Sequence, residues 1–541
     1  MESERTSIRG TDQETKRLIE SGTAVLGIEL GSTRIKACLI APEGVSLATG
    51  SSEWESRLVD GHWTYGIGDV WSGVAGAVAD LRRQVQDAYD AELTSLASLG
   101  VSGMMHGYLA FDSDDQLLVP FRTWRDTTTA RSAAELTQLL DINIPMRWTV
   151  AHLYQAILDR EEHVAGVDYL TTLAGYVHWQ LTGEKVLGIG DASGMFPVDP
   201  QTGDFDAERL AKFDSRLGGT PLRRSLRSLL PRVMSAGTRA GTLTARGAEL
   251  LDPSGALRPG TTLCPPEGDA GTGMVATNSV RPRTGNVSVG TSIFAMVVLE
   301  RPVEALHTEI DLVATPDGAT VAMVHCNNGA DELRRWVSLF KQAAVALGGQ
   351  HSIADDDAFR VLLSAAEDSA ADADGIVIFN NIAGEPVTGL VDGLPLMVRS
   401  PGSQLNLGNL MRAQVYSVFA SLAIGMEVLG GEGVEIDSLN AHGGIFRTAG
   451  IAQRFLAAAA GTPTVVSESA GDGGAWGIAL LAAYLDHADK PLAQFLDCAV
   501  FSGTWTHTVT PTPSDMAGFR SFLDRYRRGL PVEAAAAELL S

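Results

Sequence analysis

Two stretches of the chain, 259 residues apart (290 − 31), follow one plan: a β-rich run, a tight turn of glycine and hydroxyl residues, and a second β-rich run. The first consists of residues 24–30, the turn Gly31-Ser32-Thr33 and residues 34–40; the second is 285–299, turning at Gly290-Thr291-Ser292. Either alone reads equally well as an ordinary hairpin. Their recurrence predicts two copies of one domain plan. After the first copy, Ala41-Pro42-Glu43-Gly44 makes another turn and 45–48 a third strand, giving an antiparallel meander. Asp69 is expected to cap a helix running to Tyr89, with Val70, Val74, Val78 and Leu81 on one face. Strands at 99–101 and 110–111 then alternate with helices at 129–140 and 173–181, a mixed α/β pattern. The second half repeats this layout with helices at 331–347 and 407–429. The expected division is a polar, solvated extension over 1–22, domains over 23–278 and 279–485, and a helical C-terminal extension over 486–541 with two short amphipathic patterns.

Composition narrows the function. With 41 basic and 65 acidic side chains the net charge is −24, which disfavours a nucleic-acid binder or an anionic-membrane binder. A polyanion can still be held by local backbone N–H groups, a few cations and a divalent metal. Four widely spaced cysteines, Cys38, Cys264, Cys326 and Cys498, fit neither a zinc spacing nor a disulfide framework. The polar N-terminus and short apolar runs predict a cytoplasmic chain without a signal or membrane-spanning segment.

No Gly-Lys dipeptide occurs, so a Walker A loop is excluded, and Gly-x-Ser-x-Gly, zincin and Cys-x-x-Cys motifs are missing too. What remains suits phosphate and nucleotide. Gly31-Ser32-Thr33-Arg34 and Gly290-Thr291-Ser292 offer N–H groups, hydroxyls and a guanidinium. His442-Gly443-Gly444 follows an expected strand and precedes a helix from Ala449, and Asp472-Gly473-Gly474 leads into the last large helix. Such glycine pairs suit a flat base lying against backbone, or simply tight packing. Asp269 stands at an expected helix N-terminus, where a carboxylate also reads as a plain cap. Met104-Met105-His106-Gly107 follows a short strand, and its lone histidine fits a structural hydrogen bond as readily as a ligand contact.

Taken in order, these motifs resemble the FGGY family of carbohydrate kinases over roughly residues 24–485. The resemblance implies an α/β fold of two ribonuclease H-like domains, as in actin and hexokinase, with an interdomain active-site cleft. It implies ATP and Mg²⁺ as cofactors and a small sugar as partner, a ketopentose such as D-xylulose or L-ribulose first. Residues 27–36 resemble the family's first phosphate turn, with Glu29 where Asp is usual, and Gly290-Thr291-Ser292 resembles the second. Met105-His106 resembles a sugar-touching segment, Trp124-Arg125-Asp126 a Trp-Asn-Asp motif, Gly443-Gly444 an adenosine loop and 474–477 a closing Gly-Ala-x-Gly. By this likeness Asp269 is the catalytic base and, with Glu29, a metal ligand. Met105, His106, Trp124, Asp126 and Asp269 bind sugar; Gly31, Ser32, Thr33, Arg34, Gly290, Thr291, Ser292, Gly443, Gly444, Gly473 and Gly474 bind nucleotide. Ala270 stands where the family usually has Asn, and 379–386 matches its Gly-Glu-Arg segment only in part. A homodimer is compatible with this reading. Two alternatives stay open: an actin-like or heat-shock-type ATPase, and a catalytically weak sugar-sensing regulator.

Overall fold

The computed structural model describes residues 12–349, 353–447, 450–467 and 473–540. They fall into two compact units, the first drawn from Met1–Val280, Leu312–Thr320 and Asp472–Gly503, the second from Arg281–Asp311, Val321–Gly471 and Thr504–Ser541.

In the first unit, β1 (Val25–Leu30), β2 (Arg34–Ile40) and β3 (Ser46–Glu53) form the antiparallel meander, and β4 (Ser98–Gly103) and β5 (Thr262–Leu263) extend it. The sheet order is β3-β2-β1-β4-β5, with β4 parallel to β1 and β5 parallel to β4. Buried on both faces, β1 reads as a near-continuous apolar run. The helix Ile67–Tyr89 lays Val70, Val74, Ala77, Val78, Leu81 and Val85 into the core. Gly66, not Asp69, is its N-cap; Asp69 lies in the first turn and pairs with Arg57 at 2.8 Å. An acidic group there still favours the N-terminal end of the helix dipole.

The second unit repeats the plan with β6 (Thr284–Val289), β7 (Ile293–Val298), β8 (Thr320–Cys326), β9 (Ser438–Gly443) and β10 (Thr464–Ser467). Its order is β8-β7-β6-β9-β10, with the same senses: antiparallel through β6–β8 and parallel from β6 to β9 to β10. The two units therefore share strand order and direction, the physical basis of the sequence repeat. The helix Leu407–Gly431 is long and apolar enough to cross a membrane, but 78% of its most apolar window is buried within the fold.

Three expected segments take a definite form. Residues 12–20 are a packed helix, Asp12–Glu20, which buries Ile19 and ties Lys16 to Asp90 at 2.8 Å. The helix Gly473–Ala483, near the end of the second expected domain, packs on β1 and β4 of the first unit. Beyond it, Thr506–Val509 pairs antiparallel with β10, and one helix, Pro513–Leu540, replaces the two short ones despite Pro531. The expected helix start at Ala449 lies outside the described residues; the helix there is Ile451–Ala460.

The long C-terminal helix carries a buried carboxyl. Asn381 Nδ2 donates to both oxygens of Glu533 at 3.0 Å, and burial, with Glu385 nearby, pushes Glu533 up to about 7. Burial likewise raises Glu385 to about 7. The folded state then keeps protons that an unfolded chain releases near pH 4.3, so stability falls as pH rises between those limits. The melting temperature is expected to drop from pH 5 to 8, and less steeply in Glu533→Gln. Parallel curves for variant and wild type would remove Glu533 from this effect.

Candidate active site

The site grows from the ends of β1 and β4. Register places Glu29 on β1 opposite Lys36 on β2 and Ser102 on β4. Lys36 Nζ lies 3.5 Å from Glu29 Oε2, which has no hydrogen-bond partner among the described residues. Ser102 Oγ meets Thr272 Oγ1 at 3.0 Å and so fixes the next element.

That element is the helix Asp269–Ala276, entered through the short strand Glu267–Gly268 paired to β4. Gly268 is the N-cap, so Asp269 is the first helical residue rather than the cap. Its Oδ1 accepts from the backbone N–H of Ala270 at 3.0 Å, and the N–H of Met105 also donates to the carboxylate. Burial, with the charge of Glu29, nevertheless raises Asp269 to about 7. A carboxylate poised near neutral pH is a stronger base than a free one and is still substantially ionised.

Two further acids stand beside it that sequence reasoning missed. Glu267, raised to about 8 by burial, accepts from the backbone of Gly190 at 3.3 Å and Asp191 at 2.9 Å. A Cβ on Gly188 would sit 2.0 Å from its Oε1, so the glycine there was a readable sign of close approach. Asp191 is fully buried; Thr172 donates to its Oδ2 at 2.6 Å, while its Oδ1 has no hydrogen-bond partner among the described residues. Burial and the charges of Glu267 and Asp269 hold Asp191 well above the usual carboxylate range.

Met105 touches this group directly, since a Cβ on Gly268 would lie 2.4 Å from Met105 Cβ. His106 is buried next to it. Asp126 is also buried: its Oδ2 meets His62 Nδ1 in a short contact, and its Oδ1 accepts from Thr128 N at 2.8 Å. Trp124 packs at the margin of the apolar core.

The family of these residues is settled by comparison. The model of the FGGY family of carbohydrate kinases matches its N-terminal domain to residues 24–254 and its C-terminal domain to 285–485. The chain belongs to this family. A xylulose kinase from Klebsiella pneumoniae is 24% identical over 487 residues, 86% of this chain and 91% of its own length. One from Lactococcus lactis is 24% identical over 243 residues, 42% of this chain and only 44% of its own. A structure described as gluconate kinase from Lactobacillus acidophilus superposes with a TM-score of 0.78 at 16% identity, covering 96% of this chain and all of that one.

As an FGGY kinase the chain is a phosphotransferase acting on a small sugar, with a two-domain α/β fold. Its expected phosphate residues divide between the units. In the first, the turn after β1 is closed by Gly31 N–H to Arg34 O at 3.2 Å. Tyr65 donates its hydroxyl to Ser32 O at 2.6 Å, and Thr33 is exposed. Arg34 is otherwise engaged: its guanidinium pairs with Glu53 at 2.7 Å. A Cβ on Gly474 would lie 2.4 Å from Glu29 Oε1, which brings the end of the Gly473–Ala483 helix onto the candidate metal ligand. In the second unit, Gly290 O accepts from Ala330 N at 2.8 Å and Thr291 O from Gly329 N at 2.7 Å. Ser292 O accepts from Gly290 N at 2.9 Å, and Gly443 pairs in register with Val289 at the same strand end, with Gly444 next in chain. Asp472 lies outside the described residues.

No group of three or more His, Cys, Asp or Glu is arranged to hold a metal among the described residues. Glu29 and Asp269 are hard oxygen donors in an acidic setting, and Glu29 Oε2 has the Lys36 ion pair but no hydrogen-bond partner among the described residues. Two carboxylates of that kind fit Mg²⁺, which keeps waters and takes its remaining ligands from substrate phosphates.

Proposed function

We propose that this FGGY kinase transfers the γ-phosphoryl group of ATP to a hydroxyl of a small ketose, with a ketopentose, D-xylulose or L-ribulose, as first choice. The observation that carries the reading is Asp269: a raised carboxyl at a helix start, held between Met105 and the charge of Glu29. In this reading both units are ribonuclease H-like, as their common strand order supports. The Gly31 turn of the first unit, and the Gly290 and Gly443 turns of the second, each offer backbone N–H groups to phosphate. Met105, His106 and Asp126 hold the sugar.

Phosphoryl transfer asks the protein chiefly for position and charge. Asp269 takes the proton of the acceptor hydroxyl as its oxygen bonds to the γ-phosphorus; the bond to the bridging oxygen breaks, and ADP leaves with the electron pair. Glu29 and Asp269 would hold Mg²⁺, whose bound charge offsets that of the phosphates. Lys36, 3.5 Å from Glu29, keeps that carboxylate in place.

A coupled ADP-release assay over ketoses, alditols and sugar acids tests the reading, and stimulation by a ketopentose is expected. ATP hydrolysis that no member stimulates would overturn it in favour of an ATPase. Glu29→Asp is expected to keep most activity and Glu29→Gln to lose it, because the role needs charge more than reach. Equal turnover in wild type and Glu29→Gln would take Glu29 out of the site.

A further inference from the structure

At the start of the helix Thr149–Leu158 stand two polar side chains that no described residue hydrogen-bonds. Trp148, its N-cap, and His152, one turn on, are both fully buried. Neither the indole Nε1 nor either ring nitrogen of His152 has a hydrogen-bond partner among the described residues. Leaving a buried polar group unmade costs about 1–3 kcal/mol, so three such atoms within one helical turn call for an explanation.

The neighbours are already engaged. Tyr108, whose ring stacks on His152 at 6.1 Å, shares a hydrogen bond between its hydroxyl and His163 Nε2 at 2.9 Å. Arg122 is bound through both terminal nitrogens to Glu161. Asp126 is taken by His62 and by Thr128 N. The location is equally informative. Thr149 Oγ1 donates to Gly107 O at 2.7 Å, Val150 N donates to Met195 O at 3.2 Å, and a Cβ on Gly194 would lie 3.3 Å from His106 Cδ2. This helix start is therefore fastened to the Met105–His106 segment whose backbone meets Asp269.

We propose that His152 and Trp148 are substrate-binding residues that hydrogen-bond a hydroxyl of the sugar and select neutral polyols over sugar acids. The inference rests on the kinase reading and deepens it. Burial holds His152 down to about 4, so its ring is neutral and offers one donor and one acceptor, which a hydroxyl matches by accepting once and donating once. A carboxylate only accepts; it would leave one imidazole nitrogen unmet and would stand near Asp126, whose charge acts on the same ring. The fold itself does not make this choice, since gluconate kinase shares it.

The test compares wild type with His152→Phe, a ring of similar size, and His152→Asn, which restores one donor and one acceptor. Melting temperature is read with each sugar in the absence of nucleotide, and kinetics are read with ATP. A neutral ketose is expected to raise the wild-type melting temperature. In His152→Phe that rise should vanish and the sugar KM increase about tenfold, with kcat and the KM for ATP little changed, and His152→Asn should recover part of the loss. A folded His152→Phe with wild-type sugar KM and stabilisation would overturn the proposal, as would a sugar acid that binds better than its neutral counterpart. Should His152→Phe not fold, the same readings on His152→Asn and Trp148→Phe decide. Sugar-dependent stabilisation lost in the variant, without turnover of any sugar, would sink the kinase reading and leave this inference standing. Wild type that no sugar stabilises would sink the inference even if turnover is seen.

Discussion

Asp269→Asn is expected to fold normally and to lose roughly 10²–10⁴ in kcat, with the KM for sugar changed far less. The amide preserves the acceptor that Ala270 N–H uses at 3.0 Å, so local structure has no reason to change. It cannot take a proton. The rival reading of Asp269 as an ornament of the helix start predicts near-normal turnover instead, because Asn serves helix starts about as well as Asp. Steady-state kinetics on a variant whose melting curve matches wild type decides between them. Retention of more than about a tenth of kcat would refute the base assignment.

Gly477→Ala is expected to be strongly destabilising. Its Cβ would stand 2.1 Å from the carbonyl oxygen of Thr272 and 2.8 Å from the carbonyl carbon, both backbone atoms that cannot swing aside. The helices Asp269–Ala276 and Gly473–Ala483 would have to part, at a cost of about 3 kcal/mol or more. Because Asp269 opens one of them and Gly474, beside Glu29, lies on the other, turnover should fall along with stability. Gly430 supplies the control: it is also helical, has nothing within 4 Å of its would-be Cβ, and Gly430→Ala should be neutral or gain up to about 1 kcal/mol. Chemical denaturation of the two variants compares them directly, and equal stabilities would show that the helix contact tolerates a methyl.

What the sequence disclosed were features written in neighbouring residues. The two Gly-Ser/Thr hairpins, the helix running to Tyr89 and the acid at Asp269 are short-range patterns of strand, turn and helix start. Glu267, Asp191, His62 and His152 were not legible, because each acquires meaning only from chain brought in from far away. Glu267 is two residues from Asp269 but serves the turn at 188–191; His152 is an ordinary helical histidine until Tyr108, Asp126 and Arg122 surround it without bonding it. Local sequence could not show the partner of Arg34, since the register of β2 and β3 sets it opposite Glu53. Nor does local sequence say where the last apolar helix packs. A helix of Gly, Ala, Leu and Ile has no face to announce which sheet it covers, and Gly473–Ala483 is buried nearly all round.

That late helix also sets an order of events during synthesis. Gly27 on β1 lies under Ala475 and Ala479, and Gly100 on β4 under Ile478, so the first sheet receives this cover only after residues 281–471 have been made. A ribosome-bound chain that has reached residue 280 carries nearly all of the first unit's strands, yet an apolar face of them stays wet. The sheet of the amino-terminal half thus stays uncovered until the carboxy-terminal portion of the same chain emerges to close it.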